Sequence, residues 1–307
     1  MSDAPSPRGA ALRSARELAQ AISSVERGGE SADSLIQEAL AQLATATGPA
    51  ARVIGVTGPP GAGKSTLVGA LADRAREEGR RVAILAVDPS SAVSGGALLG
   101  DRVRVEERPD DDGRFMRSIA TRGSGRSLSH AAAAASLLIE AAGFDLLFIE
   151  TVGAGQADLG IVRLADLVLL VEGPEGGDEV QAMKAGLLES ADLVVVNKGD
   201  RPGADRAVER LRSGLALGAD APEVLLTSAT EGSGVTELLH ALDVAALRPG
   251  RGGRVRRVAA HLAAAVEARA AERLRAAEAD GRLEALARGI TDGLRPLSGA
   301  VDELLQG

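Results

Sequence analysis

The spacing of apolar side chains divides the chain into three stretches. Residues 9–47 carry apolar side chains at helical spacing and predict two helices. From about residue 52, short aliphatic runs alternate with helical stretches, and the runs are apolar on both faces, as in the buried strands of a parallel sheet. The predicted strands are 52–57, 81–87, 145–150, 166–171, 192–197 and 223–227. Residues 254–306 are rich in Ala, Arg, Glu and Leu and predict further helices.

These elements predict an α/β fold with a mostly parallel central sheet flanked by helices, together with helical N- and C-terminal extensions. We expect an N-terminal helical extension over residues 1–48, a central domain over 49–247 and a C-terminal helical arm over 248–307. The arm is also the expected dimerisation element. Its apolar stripe, which includes Leu262 and Val266, packs either on the central domain or on another subunit.

Two connecting stretches carry local signals. The segment 88–129 is rich in Gly, Ser and Arg and is too long for an ordinary connection, so it predicts a switch loop. Ser34 and Gln37 have the spacing of a capping box, which predicts the start of a helix at that point.

Composition excludes several classes of protein. The chain of 307 residues has no cysteine, which excludes disulfides, thiolate nucleophiles and cysteine metal sites. Its net charge of −8 argues against non-specific binding to nucleic acid or to an anionic membrane. It has no apolar run of about 18 residues and no apolar signal sequence at its N-terminus, so we expect a cytoplasmic protein with no membrane association.

A phosphate-binding loop follows the first predicted strand. Residues 58–65, GPPGAGKS, fit the pattern G-x-x-x-x-G-K-[ST] between a strand and a helix, which is the P-loop of nucleotide-binding proteins. Backbone N–H groups and the helix N-terminus would hold the phosphates, Lys64 would reach the β- and γ-phosphates, and Ser65 would bind Mg²⁺. The predicted phosphate-loop residues are Gly58, Gly61, Ala62, Gly63, Lys64, Ser65 and Thr66.

Carboxylates follow the strands at the same predicted edge of the sheet. Glu150 can hold the magnesium shell, and the N–H of Gly153 can contact the γ-phosphate. Asp88 follows the strand 81–87 and would complete an oxygen-rich magnesium site with Asp101. A turn or helix-cap role remains the alternative for Asp88, and nothing in the local pattern fixes the position of Asp101.

The rarity of lysine draws attention to three positions. Only Lys64, Lys184 and Lys198 are lysines, whereas every other basic residue is arginine. A compact ammonium is therefore expected to matter at these positions. Lys184 and Asp178 follow a strand and can face the nucleotide or a switch loop, although a surface ion pair is the alternative.

A base-recognition motif follows the strand 192–197. Residues 197–200 read NKGD and match N-K-x-D, in which Asp200 would accept hydrogen bonds from N1–H and the amine of guanine, while Asn197 and Lys198 complete the site. Adenine lacks the N1 donor and would leave a desolvated carboxylate unpaired. Thr227, Ser228 and Ala229 follow the last predicted strand and fit the loop whose backbone N–H contacts the guanine carbonyl. The sequence therefore predicts GTP and GDP as ligands.

The ordered set GPPGAGKST, VDPSS, GGALLGDR, ETVGAGQAD, GDEVQAMKAG and NKGD resembles one family. It is similar to the MeaB/ArgK/MMAA group of P-loop GTPases, the G-protein chaperones of adenosylcobalamin-dependent acyl-CoA mutases such as methylmalonyl-CoA mutase. The resemblance is strong over residues 15–245. It implies a homodimer that gates cobalamin loading and protects the mutase. We further expect slow intrinsic GTP hydrolysis that the partner accelerates.

The resemblance also implies roles for individual residues. It assigns Lys64, Glu150, Asp178 and Lys184 to catalysis and coupling. It assigns Ser65, Asp88, Asp101 and Glu150 to the magnesium ion. The sequence departs from the family at Phe115-Met116-Arg117-Ser118, where a Phe-Ile-Arg-Pro run is usual, and in an arm that lacks aromatic residues. These departures bear on which mutase is the partner and on the geometry of the dimer.

Three other functions compete with this interpretation. A metal-delivery GTPase for nickel or zinc enzymes would need Cys and His clusters, and this chain has no Cys and three dispersed His. A kinase linked to amino-acid transport would need a second substrate pocket, for which we find no motif. A nucleotide-dependent scaffold with negligible turnover stays open, because no glutamine or arginine finger can be assigned.

Overall fold

The computed structural model describes residues 14–88, 111–120, 128–151, 164–175, 190–215, 221–246 and 253–306. Within these ranges, seven strands form one sheet in the order β3-β2-β4-β1-β5-β6-β7. The strands are β1 (Arg52–Thr57), β2 (Val82–Asp88), β3 (Arg114–Ala120), β4 (Leu146–Thr151), β5 (Leu167–Glu172), β6 (Leu193–Val196) and β7 (Glu223–Leu226). All neighbouring strands pair in parallel. The predicted α/β fold with a parallel central sheet is therefore confirmed.

Helices cover both faces of the sheet and extend from it. The described helices are α1 (Ala15–Arg27), α2 (Glu30–Thr45), α3 (Lys64–Glu77), α4 (Leu128–Ala141), α5 (Ala204–Leu215), α6 (Val235–Ala245), α7 (Arg254–Ala279), α8 (Arg282–Thr291) and α9 (Leu297–Gln306). None of these helices is long and apolar enough to cross a membrane.

Alternate side chains of the central strands belong to two apolar layers, one on each face of the sheet. Ile54 and Val56 of β1 pack with α3 and α6 on one face. Val53, their neighbour, faces the other way and packs with α1, α2 and α4. Because both faces are covered, the strands are apolar throughout, which is why their sequences show continuous rather than alternating apolar runs.

We expected the segment 88–129 to form one switch loop. This prediction is wrong, because the segment contains the edge strand β3. This strand pairs in parallel with β2 along its whole length, from Val82↔Arg114 to Asp88↔Ala120. Polar residues interrupt the apolar pattern of this strand, so its sequence does not predict a strand. These polar residues have partners in neighbouring helices. Arg114 pairs with Asp73 of α3, and Arg117 donates to the Ser23 hydroxyl of α1 at 2.8 Å. Residues 89–110 and 121–127 lie outside the described part of the chain.

The N-terminal helices belong to the same apolar core as the sheet. Leu18 and Ile22 of α1 and Ile36 of α2 are buried in the cluster that contains the β1 and β4 side chains. The capping box lies at Ser14, whose hydroxyl accepts from the Glu17 N–H at 3.2 Å. The helix start predicted at Ser34 is wrong, because that residue lies inside α2, which begins at Glu30.

Candidate functional site

The loop between β1 and α3 has a backbone that requires glycine. Gly58, Gly61 and Gly63 have φ angles of 143°, 78° and 88°. A Cβ atom on Gly58 would lie 2.0 Å from the carbonyl oxygen of Val171 in β5, so no side chain fits there. Ala62 is buried within the loop. The carboxyl end of the central strand thus leads into a tight turn that aims the N-terminus of α3 outward, as an anion site requires.

Lys64 is the first residue of α3, and its side chain folds back over the loop. Its ammonium donates to the carbonyl oxygens of Gly58 at 2.8 Å and Pro59 at 3.1 Å. The side chain is buried, although it carries a charge. A cation held across the mouth of a phosphate-binding turn can stabilise the negative charge of bound phosphates. Thr66 is exposed on the same first turn.

A hydroxyl and a carboxylate meet beside this loop. The Ser65 hydroxyl donates to Oε1 of Glu150, which is buried near the end of β4. Both groups are oxygen donors of the kind that Mg²⁺ prefers, and Mg²⁺ usually takes few protein ligands beside water and phosphate oxygens. The described residues contain no cluster of three or more His, Cys, Asp or Glu that would suit a different metal. The pair therefore fits the predicted magnesium site.

The other predicted magnesium and switch residues are less well defined. Asp88 ends β2, so its backbone lies at the same edge of the sheet as Glu150. The positions of Asp101, Gly153, Asp178 and Lys184 lie outside the described residues, and their roles stay predictions.

Asn197 connects the phosphate loop to the base loop. Its amide nitrogen donates to the carbonyl oxygens of Ala62 at 3.1 Å and Gly63 at 3.3 Å. Its amide oxygen accepts from the Ala229 N–H at 3.1 Å and the Thr227 hydroxyl at 3.3 Å. The motifs predict a guanine-site role for Asn197 and place Thr227 in the loop that contacts the guanine carbonyl, but they do not predict the hydrogen bond between these two residues or the contact of Asn197 with the phosphate loop. The geometry shows that Asn197 holds two loops in fixed relation.

The base loop presents an oriented carboxylate. Asp200 accepts a hydrogen bond from the Ser228 hydroxyl at 2.7 Å, and this bond, followed by the backbone N–H of Asp200, lowers the pKa of the Asp200 carboxyl below its usual value. Lys198 has a φ angle of 62°, an uncommon conformation for a side-chain-bearing residue. The Gly199 N–H donates to the Thr227 carbonyl at 2.8 Å. An ionised, fixed acceptor suits a ligand with two adjacent donors, such as guanine.

A family model described as "Methylmalonyl Co-A mutase-associated GTPase MeaB" matches residues 18–279. This chain belongs to the MeaB family. The resemblance predicted from the motifs and the prediction of a GTPase are both confirmed by this match.

The names of individual relatives are consistent with this family. A "Putative GTPase" of Pyrococcus horikoshii is 49% identical over 61% of this chain and 62% of its own length. The mouse "Methylmalonic aciduria type A homolog, mitochondrial" is 38% identical over 72% of this chain and 57% of its own length. The chain thus spans less than two thirds of each of these two relatives. A solved structure described as a LAO/AO transport system kinase has a TM-score of 0.61 and 26% identity, covering 96% of this chain and 94% of that one.

Proposed function

We propose that this chain binds and hydrolyses GTP with Mg²⁺, and that this cycle assists cofactor loading and protection of an adenosylcobalamin-dependent acyl-CoA mutase of the methylmalonyl-CoA mutase type. The observation that carries the nucleotide part is the Asn197 bridge, which joins a glycine-rich phosphate turn to an oriented base carboxylate. The mutase part is supported by the description of the matching family and by the name of the mouse relative.

Each part of the site has a proposed role. The turn from Gly58 to Gly63 and the N-terminus of α3 bind the phosphates, and Lys64 stabilises charge on the β- and γ-phosphates. Ser65 and Glu150 hold Mg²⁺, which supplies further neutralisation of phosphate charge. Asp200, oriented by Ser228, accepts the two guanine donors. This arrangement supplies binding and positioning, which are the main protein contributions to phosphoryl transfer.

The remaining predicted residues complete the proposal. Asp88 and Asp101 extend the magnesium environment, and the N–H of Gly153 contacts the γ-phosphate. Asp178 and Lys184 form a switch that responds to the mutase. In the absence of that partner, turnover is slow.

We further propose that two copies associate through the C-terminal arm, residues 248–307. Apolar side chains on α7 and α9 support this proposal, because they are exposed in the single chain: Leu262, Val266, Leu297, Val301 and Leu305.

The test is GTP turnover measured with and without a purified cobalamin-dependent acyl-CoA mutase from the same organism. We expect turnover to rise when the mutase is added, and the mutase to be retained by this chain in a non-hydrolysable GTP analogue. Lys64→Ala is the control and should lose both effects. Turnover that ignores the mutase would overturn the mutase assignment. Transfer of the γ-phosphate to a protein acceptor instead of water would favour the kinase alternative, which the name of the related structure suggests.

A further inference from the structure

A buried charge cluster joins the C-terminal helices to the sheet at the edge opposite the phosphate loop. It consists of Glu140, Asp166, Arg254 and Arg257, which we call the Arg257 clamp. Arg257 donates to Oε2 of Glu140 at 2.8 Å and to both carboxylate oxygens of Asp166 at 2.6 and 2.8 Å. Arg254 donates to Oε1 of Glu140 at 2.9 Å. The Arg257 and Glu140 side chains are only 1% and 2% exposed.

The clamp also holds backbone groups of several elements. Asp166 accepts from the N–H of Val53 at 2.8 Å, at the start of β1, and from that of Gly253 at 2.7 Å, just before α7. Arg254 donates to the carbonyl of Leu43, in the last turn of α2, at 2.6 Å. The first turn of α7 is therefore joined to α2, to α4, to Asp166 before β5 and, through Asp166, to β1.

Apolar packing by itself does not define how α7 is rotated about its axis. Near the clamp, the described apolar side chains of α7 that pack against the core are Val258 and Ala260, and both are partly buried. Its larger apolar side chains point away, since Val255, Leu262 and Val266 are 85%, 64% and 61% exposed. At about 100° per residue, these three side chains form one stripe.

That stripe lies roughly 130° around the helix from Arg254 and Arg257. A rotation of α7 by that amount would bury the stripe, which the hydrophobic effect favours. The rotated helix would pull both arginines away from Glu140 and Asp166, leaving buried carboxylates without their cations, and that is strongly unfavourable.

We propose that the Arg257 clamp selects the rotational setting of α7 and thereby keeps the Val255, Leu262 and Val266 stripe on the outside. The clamp acts by making one orientation of α7 specific. A buried ion pair contributes little net stability compared with a well-packed apolar substitute, but it tolerates few alternative geometries. The stripe is then available to a second copy of the chain. This last step rests on the homodimer under the proposed function, whereas the rotational setting does not.

The test compares stability with helix orientation in one triple variant. Glu140→Leu, Asp166→Asn and Arg257→Met together remove three of the four charges, and the remaining Arg254, which is 29% exposed, keeps its bond to the Leu43 carbonyl. The asparagine keeps one oxygen, which can still accept from the N–H of Val53 or of Gly253. Because the natural chain has no cysteine, spin labels can be attached at Glu209→Cys on α5 and Glu267→Cys on α7, both of which are exposed positions. Dilution with unlabelled protein restricts the measured distances to single chains.

We expect the unmodified clamp to give one narrow distance distribution. The triple variant should melt within a few degrees of the parent, but its label distances should broaden or split, because rotation moves a label by up to about 10 Å, the diameter of a helix with its side chains. Its dimer dissociation constant should rise by about tenfold or more. Arg288→Met is the matched control, because it removes an exposed arm arginine whose ion pair, within the described residues, is with Glu284 on its own helix.

A triple variant that keeps the single parental distance would overturn the proposal. If that variant does not fold, Arg257→Gln answers the same question, because glutamine keeps a hydrogen-bond donor but removes the cation that Glu140 and Asp166 share. An unchanged distance distribution in Arg257→Gln would then overturn it. The distances are measured without GTP or mutase, so failure of the proposed function would leave them unaffected.

Discussion

Replacing Asn197 by alanine should destabilise the protein even when no nucleotide is bound. The side chain is buried and makes four hydrogen bonds, two from its amide nitrogen to the phosphate loop and two to its amide oxygen from the base loop. Alanine removes all four and leaves the Ala229 N–H without this acceptor. A residue that served only to contact guanine would have no such effect on the nucleotide-free protein.

The expected loss follows from the value of each bond. A typical hydrogen bond contributes about 0.5–1.5 kcal/mol to the free energy of unfolding. Two of the four distances are 3.3 Å, which is long, so we expect a loss of roughly 2–4 kcal/mol rather than the full sum. At about 2–4 °C per kcal/mol, the melting temperature should fall by roughly 5–15 °C.

Two further variants separate the bridging role from base recognition. Asn197→Asp keeps the oxygen that accepts from Ala229 but places a carboxylate against two carbonyl oxygens, so it should be at least as destabilising as alanine. Asp200→Ala is the matched control, since it removes an exposed base-loop carboxylate that accepts from a single hydroxyl. It should lose guanine affinity while the nucleotide-free protein melts at nearly the parental temperature.

The assay is thermal unfolding of nucleotide-free protein, followed by far-ultraviolet circular dichroism, alongside calorimetric titration with GTP. If Asn197→Ala melts like the parent while losing GTP affinity, Asn197 acts on the base alone and does not hold the two loops together.

Substitutions at four positions provide further tests of the site. Lys64→Ala should abolish GTP binding in calorimetry and leave the fold intact, and an unchanged affinity would contradict the phosphate assignment. Asp200→Asn should weaken GTP and gain xanthosine triphosphate, because an amide can donate to the extra carbonyl of xanthine; a parental preference for ATP in direct competition would refute the base assignment. The Ser228 hydroxyl lowers the pKa of Asp200, so the ionised carboxylate should persist as the pH falls through the ordinary aspartate range and be lost only below it. Ser228→Ala should therefore shift the acid loss of GTP affinity to higher pH, and an identical pH profile would argue against this cause. Lys184→Ala and Lys184→Arg should leave GTP binding nearly intact and reduce the stimulation of GTP turnover by the mutase, with the smaller reduction in Lys184→Arg. Full stimulation in both variants would indicate that Lys184 is a solvated surface cation.

Features of this protein that depend on neighbouring residues can be predicted from its sequence. Six of the seven strands are continuous aliphatic runs, and their predicted limits agree with the structure to within about one residue. The phosphate turn follows from the glycine spacing, because only glycine adopts its backbone angles. The P-loop and N-K-x-D motifs are each local, and so is the Ser14 capping box, although it went unrecognised beside the similar pattern at Ser34.

Features that depend on partners far along the chain become visible only in the folded protein. The edge strand β3 carries arginines whose partners lie in α1 and α3, so its sequence lacks the apolar run of a central strand. Asn197 bridges two loops only because β1 and β6 end at the same edge of the sheet. Arg257 looks like any other arginine in the sequence, since Glu140 and Asp166 are 117 and 91 residues away. Local patterns record which conformation a segment favours, whereas the partner of a buried charge is fixed only when packing brings distant segments together.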